Sequence, residues 1–227
     1  MKLLISNKSK KEFKDFLKKI QIDYLETIDN PSLDKRIADH PDLSVFVVDK
    51  KNIIVDKNVF SYYKKNLPGI NVLAGESVEK TYPKDAIYNI VKFKSYFIHN
   101  DFTEKNIDQT LRNKGYKFLK VKQGYTRCSS IILNDSIITA DYGIYKNLKD
   151  KLNIKLASVE KIELDGFDQG FLGGTCGMLD RNNLMFNGNI ENLKSYDIIY
   201  KQSEKENIKL IYPPCKLLDT GSLIRIG

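Results

Sequence analysis

The feature that most constrains this chain is an internal repeat whose last copy is complete only if the two chain ends meet. Pairs of β-rich runs recur at residues 45–48 with 53–55, 87–91 with 96–98, 131–133 with 137–138, and 178–179 with 184–186. Short polar turns rich in Asn, Asp, Ser and Lys separate the members of each pair, as hairpins require. After each pair comes a stretch with apolar residues three and four apart, and then a short apolar run. The expected helices cover 57–67, 103–114, 145–152 and 189–207, with a fifth at 11–20 that places Phe13, Phe16, Leu17 and Ile20 on one face. The expected closing strands cover 22–27, 70–75, 116–121, 154–159 and 208–213. The hairpin missing from the count is split: residues 223–227 supply one strand and residues 1–5 the other.

Unit entry points fall near Asp42, Asp85, Cys128, Cys176 and Thr220, at intervals of 43, 43, 48 and 44 residues. Near-equal units without capping repeats predict an α+β fold: a five-fold pseudosymmetric α/β propeller of ββαβ units. It is expected to be one domain over residues 1–227, closed by pairing of the N- and C-terminal strands near Ile224 and Leu3 or Leu4. An open α/β sheet would share much of the periodicity, and the split hairpin favours the ring.

The charge balance limits the possible partners. The chain carries 37 Lys and Arg against 29 Asp and Glu, for a formal charge of +8. Only Arg36, Arg112, Arg127, Arg181 and Arg225 are arginines. Base readers and phosphate clamps favour the bidentate guanidinium, so lysines scattered over helix faces predict solvated surface and no nucleic-acid partner. No apolar run reaches the ~20 residues of a membrane span, and the opening residues are too short an apolar stretch for a secretion signal. Three cysteines at irregular spacing give no disulfide framework, and the expected location is the cytoplasm. There is no zinc spacing, P-loop or dinucleotide fingerprint, so neither a metal nor a cofactor is expected.

Short motifs stand at the unit entries. His40-Pro41-Asp42 precedes the run 43–48, and Arg127-Cys128-Ser129-Ser130 precedes the run 131–133. Asp219-Thr220-Gly221-Ser222 and Gly173-Gly174-Thr175-Cys176-Gly177 open two further units. A thiol becomes a nucleophile when a neighbouring imidazole or cation favours its anion, and a carboxylate can orient that imidazole. Bland roles are available to each residue: a buried small hydrophobe for Cys128, a turn for His40, a strand-entry cap for Asp42. The glycines of 173–177 fit either close approach to a ligand or a tight strand entry at a crowded axis. Cys176 is therefore a rival nucleophile to Cys128.

The five-unit ring and these motifs together resemble the pentein superfamily of guanidine-modifying proteins. His40-Pro41-Asp42 resembles the family's His-x-Asp, and Arg127-Cys128-Ser129-Ser130 is similar to its Arg-Cys-x-Ser, with the Cys unit two units after the His unit. The resemblance implies that Cys128 is the nucleophile, His40 the acid/base, and Asp219 the acid of the preceding unit. It further implies that Asp42, Asp85, Arg127, Gly174, Thr175 and Cys176 face a substrate. Asp219 replaces the family's Glu, and no acid stands at the Gly173–Gly177 entry. Two functions stay open. One is a thiol hydrolase or amidinotransferase-like enzyme acting on a small guanidine, amidine or amino compound. The other is an inactive binding protein for a small ligand, or for ribosome or RNA as in the anti-association initiation factors of the same superfamily.

Overall fold

A computed structural model describes residues 2–227. The chain forms five three-stranded sheets and five helices, in the order β1 (Lys2–Ile5), α1 (Lys11–Lys19), β2 (Tyr24–Glu26), β3 (Val45–Asp49), β4 (Asn52–Asp56), α2 (Phe60–Asn66) and β5 (Asn71–Gly75). It continues with β6 (Val91–Phe93), β7 (Tyr96–His99), α3 (Lys105–Asn113), β8 (Lys117–Lys120), β9 (Ser130–Ile132), β10 (Ile137–Thr139), α4 (Tyr142–Leu148) and β11 (Ile154–Leu156). It ends with β12 (Cys176–Asp180), β13 (Asn183–Phe186), α5 (Tyr196–Lys205), β14 (Lys209–Ile211) and β15 (Ile224–Ile226). In every sheet an antiparallel hairpin is extended by a parallel third strand that follows the helix. The chain ends complete the fifth sheet: β15 pairs antiparallel with β1, with Ile224 opposite Leu4, and β1 pairs parallel with β2.

The alternation of strand side chains explains how the units join. Leu3 and Ile5 pack with Phe13 and Leu17 of α1 against Leu179 and Met185 of the last unit. Leu4, on the opposite face of β1, packs with Val45, Ile53 and Tyr63 of the next unit. Phe46 and Ile54 then share a cluster with Phe97, Ile107 and Leu111. Val91 and Ile98 do so with Ile137, Ile144 and Leu148. Ile131 and Ile138 pack with Leu184, Phe186 and Ile199. Each apolar cluster spans two successive units, and the last of them returns to the first. A buried Leu, Ile or Phe contributes roughly 1.5–3 kcal/mol, so no unit holds its sheet alone.

Several boundaries differ from the sequence expectation. Residues 87–90 form a turn, not a strand, with Asn89 N–H donating to Ala86 C=O. The reason is the fully buried Asn89 side chain, which is committed to a neighbouring unit as described below. Helix α4 starts at Tyr142 and not at 145, because Asp141 accepts the Ile144 N–H as an N-cap. Helix α5 covers only part of 189–207: the preceding residues make successive turns, and the Glu160 carboxylate takes the Ser195 N–H at 2.7 Å. No helix among the described residues is long and apolar enough to cross a membrane.

Removing residues 223–227 deletes β15 and leaves β1 as an unpaired edge. The expected outcome is a lower melting temperature with concentration-dependent aggregation, read by calorimetry and light scattering. Unchanged melting would contradict the pairing. Phe13→Ala should cost about 3–5 kcal/mol in denaturant unfolding, because its ring fills a cluster shared by the first and last units.

Candidate active site

Asp42 is where three units meet. Its Oδ2 accepts the Cys128 thiol at 3.0 Å and the Ser222 N–H at 2.9 Å. The Asn89 side chain comes from a fourth unit, donating to Cys128 Sγ at 3.1 Å while its carbonyl accepts the N–H groups of Arg127 (2.8 Å) and Cys128 (3.0 Å). Cys128 is thereby fixed on all sides and is 2% exposed. Burial pushes its thiol well above the ordinary range. The Asp42 and Asp219 carboxylates push it further, and only the Asn89 N–H opposes them. The resting sulfur is a neutral thiol that donates to a carboxylate.

Asp219 lies close enough for its charge to act on Cys128, and His40 close enough to act on Asp219; both residues are buried. Asp219 accepts the Phe171 N–H at 2.7 Å through Oδ2 and the Gly221 N–H at 3.0 Å through Oδ1. Burial raises its pKa; the His40 charge and the two amides lower it, and Asp42 adds repulsion. Gly221 adopts φ +74°, a conformation that side chains disfavour, and a Cβ there would lie 2.8 Å from the His40 Cβ. Gly174 passes so close to Asp219 that a Cβ would sit 2.0 Å from Oδ1, and Gly173 abuts the carbonyls of Arg127, Cys128 and Ser130. The paired glycines thus let one unit entry lie directly against Asp219 and the Cys128 segment.

Asp85 joins through an aromatic residue. Its Oδ2 accepts the Tyr125 hydroxyl, and Tyr125 stands in a row between Tyr82 and Phe171, with ring centroids 5.7 Å away on each side. Burial raises the Asp85 pKa against the Tyr125 hydrogen bond. Burial raises Tyr125 as well, with Asp85 and Cys128 adding repulsion. Asp42 Oδ1 and Asp85 Oδ1 are both buried without a hydrogen-bond partner among the described residues, as are the Ser129 and Ser130 hydroxyls. Buried polar atoms are nearly always paired, and of these four the Asp42 oxygen belongs to the carboxylate that accepts the Cys128 thiol.

The other sequence-selected residues lie elsewhere. Thr175 is buried, and its hydroxyl donates to the Leu172 carbonyl at 2.6 Å. Cys176 belongs to the apolar cluster of the last two units, and burial pushes its thiol up to about 12 against the pull of Arg127. Arg127 lines a cavity, and its guanidinium makes one long bond, 3.4 Å to the Ser130 carbonyl. Asn89, Tyr125, Phe171 and Ser222 were not selected from the sequence. Asn89 alone carried a signal, as the single polar residue in the run Ala86-Ile87-Tyr88-Asn89-Ile90-Val91. Among the described residues no group of three His, Cys, Asp or Glu side chains is arranged to hold a metal ion.

Two outcomes follow from the burial of these carboxylates. Asp85 binds its proton more tightly folded than unfolded, so its ionisation costs stability as pH rises from the ordinary carboxylate range. The melting temperature of Asp85→Asn should therefore exceed that of the parent by a margin that opens between acidic and neutral pH. A constant gap would contradict the assignment. Gly174→Ala should destabilise the fold by several kcal/mol, because the obstacle is a backbone-anchored carboxylate rather than a mobile tip.

Comparison with known proteins agrees with this architecture. A family model described as a family of unknown function (DUF6873) matches residues 4–224. No curated protein matches significantly. Among solved structures, a dimethylarginine dimethylaminohydrolase superposes with a TM-score of 0.55 and 10% identity over 94% of this chain and 92% of its own. An agmatine deiminase from C. jejuni gives a TM-score of 0.56 and 12% identity over 94% and 86%. An amidinotransferase of saxitoxin biosynthesis from Microseira wollei gives 0.52 and 13% over 93% and 80%. The chain therefore belongs to the family of unknown function DUF6873, and its fold is that of the pentein superfamily.

Proposed function

We propose that this protein is a thiol-dependent hydrolase or amidinotransferase-like enzyme acting on a small guanidinium- or amidinium-bearing compound. Its five units form a single-domain, five-fold pseudosymmetric propeller with the site at the axis. The circuit of shared apolar clusters and the β1–β15 pairing support that architecture. The observation that carries the function is the Asp42 carboxylate, which accepts the Cys128 thiol through one oxygen and keeps the other buried and unpartnered among the described residues, with a second such oxygen on Asp85. A planar cation with several N–H donors is the ligand such acceptors suit.

The cation would also set the thiol to work. Bound against Asp42 and Asp85, it offsets the Asp42 charge that, with burial and Asp219, keeps Cys128 protonated, and it presents an electron-poor carbon to the sulfur. As Sγ bonds to that carbon, the thiol proton passes to Asp42 Oδ2, which already accepts it as a hydrogen bond and returns it when the S–C bond later breaks. The C–N bond to the departing amine then breaks as protonated His40 supplies the amine with a proton. Water, or an acceptor amine, next adds to the carbon while His40 takes its proton. The S–C bond breaks, and the thiol is regenerated. Asp219, whose pKa feels the His40 charge, would orient the imidazole, and Tyr125 would position Asp85.

A second reading has one specific observation in its favour. The fully enclosed thiol donates to Asp42 and is held neutral by the resting structure, as suits a protein that binds a cation without turnover.

Peptide mapping after limited alkylation separates the readings. An amidine-bearing alkylating agent should label Cys128 at least about tenfold faster than neutral iodoacetamide does, the effect of ~1.4 kcal/mol of charge recognition. Asp85→Asn should abolish that preference. Labelling of Cys176 in its place would overturn the assignment of the nucleophile. Amidine binding with no labelling at all would favour the binding protein.

A further inference from the structure

The axis holds a second feature that a cation-processing site does not require. A cavity of about 330 Å³ is lined from all five units. Its polar lining is Asp42 at one place and three cations: Lys92 of β6, Arg127 and Arg225 of β15. Two of the chain's five arginines thus face one small space, although lysine outnumbers arginine more than sixfold elsewhere. All three cations are half-buried, and none forms an ion pair with a carboxylate among the described residues.

The hydrogen bonds the three do make are weak or local. Arg127 reaches only the Ser130 carbonyl at 3.4 Å, and Arg225 only the Gly227 carbonyl at 3.4 Å. Lys92 donates to the carbonyls of Val47 and Val48 at the cavity wall. Most guanidinium N–H groups are left over; Asp49 attracts Lys92 and Arg225 acts on Asp180, but neither carboxylate lines the cavity, where like charges repel unless an anion intervenes. The remaining lining is aliphatic or aromatic, including Val45, Phe46, Ile132, Met178 and Ile224.

We propose that this cavity binds a small organic anion, with a carboxylate or phosphate head held by Arg127, Arg225 and Lys92 and a short apolar body against the strand side chains. The planar guanidinium fork matches either head group bidentately, and the cavity volume falls at the lower end of small-molecule sites. Asp42 disfavours an anion near its own end of the cavity, so the head group belongs towards Arg225. The cavity shares Asp42 with the proposed cation site, whereas Arg225 and Lys92 take no part in the proposed chemistry at Cys128, so variants of those two test the anion site separately.

Titration calorimetry and thermal melting at matched ionic strength test it. The probes are inorganic phosphate, hexyl phosphate, hexanoate and, as the uncharged control, hexanol. The expected result is saturable one-to-one binding and a raised melting temperature with hexanoate or hexyl phosphate, and none with hexanol. Comparing those two probes identifies the head group, and inorganic phosphate alone tests the need for the apolar body. Arg225→Gln and, separately, Lys92→Gln should weaken binding about tenfold or more, the loss expected when a charge-assisted hydrogen bond is removed. Arg181→Gln, an exposed arginine outside the cavity, should leave binding unchanged. No saturable binding by any anion would overturn the proposal. So would equal weakening by Arg181→Gln, or binding unaffected by both cavity variants. Amidine-directed labelling of Cys128 should persist in Arg225→Gln, which separates a failure here from a failure at the thiol.

Discussion

The carboxylate of Asp42 ties the strand entries together. A single oxygen accepts a thiol from one unit and a backbone amide from the chain's last segment. The partner of that thiol, Asn89, is supplied by yet another unit. A buried carboxylate is costly unless it is hydrogen-bonded, and here the bonds come from segments up to 180 residues away in sequence. The same residue therefore fixes the relative placement of the units and leaves one oxygen unpartnered. Structure and reactivity converge on one side chain.

The energetic logic of the site is a surplus of buried negative charge. Asp42, Asp85 and Asp219 are all buried, and burial raises the pKa of both Asp85 and Asp219. Backbone amides hold Asp219, a tyrosine holds Asp85, and the thiol itself is one of the donors to Asp42. Such an arrangement costs stability in the free protein, and under the proposed function that cost is recovered when a cation binds. The glycines at 173 and 174 belong to the same logic. Any side chain there would push Asp219 or the Cys128 segment away from the axis.

Much of the architecture was legible because it rests on periodicity. The hairpins, the helix faces and the split fifth sheet all follow from apolar spacing and turn residues, and Ile224 opposite Leu4 is the register that the split hairpin implied. The boundaries that departed from expectation did so where a side chain overruled propensity: Asp141 as a cap, Glu160 on the Ser195 amide, Asn89 in a turn. The entry motifs also marked Asp42 and Cys128, which a thiol-to-carboxylate hydrogen bond joins across two units. The partners that hold the site's carboxylates were hidden, because Tyr125, Phe171 and Ser222 act through contacts of long sequence separation. Ser222 and Phe171 contribute only backbone N–H groups, which no side-chain pattern records. The glycine-rich entry was open between a ligand role and a packing role, and its close approaches are to Asp219 and to the backbone of residues 127–130.

The proposed function requires that burial, together with the charges of Asp42 and Asp219, keeps Cys128 protonated until a cation binds. It is tested most directly by titrating the thiol through its ultraviolet thiolate absorbance in a Cys176→Ser, Cys215→Ser background, with and without saturating acetamidinium. The account predicts a Cys128 pKa above that of a free thiol in the unliganded protein, and a fall of at least one unit when the amidinium is bound, equivalent to ~1.4 kcal/mol of charge compensation. A pKa near that of a free thiol, or one that acetamidinium leaves unchanged, would contradict it.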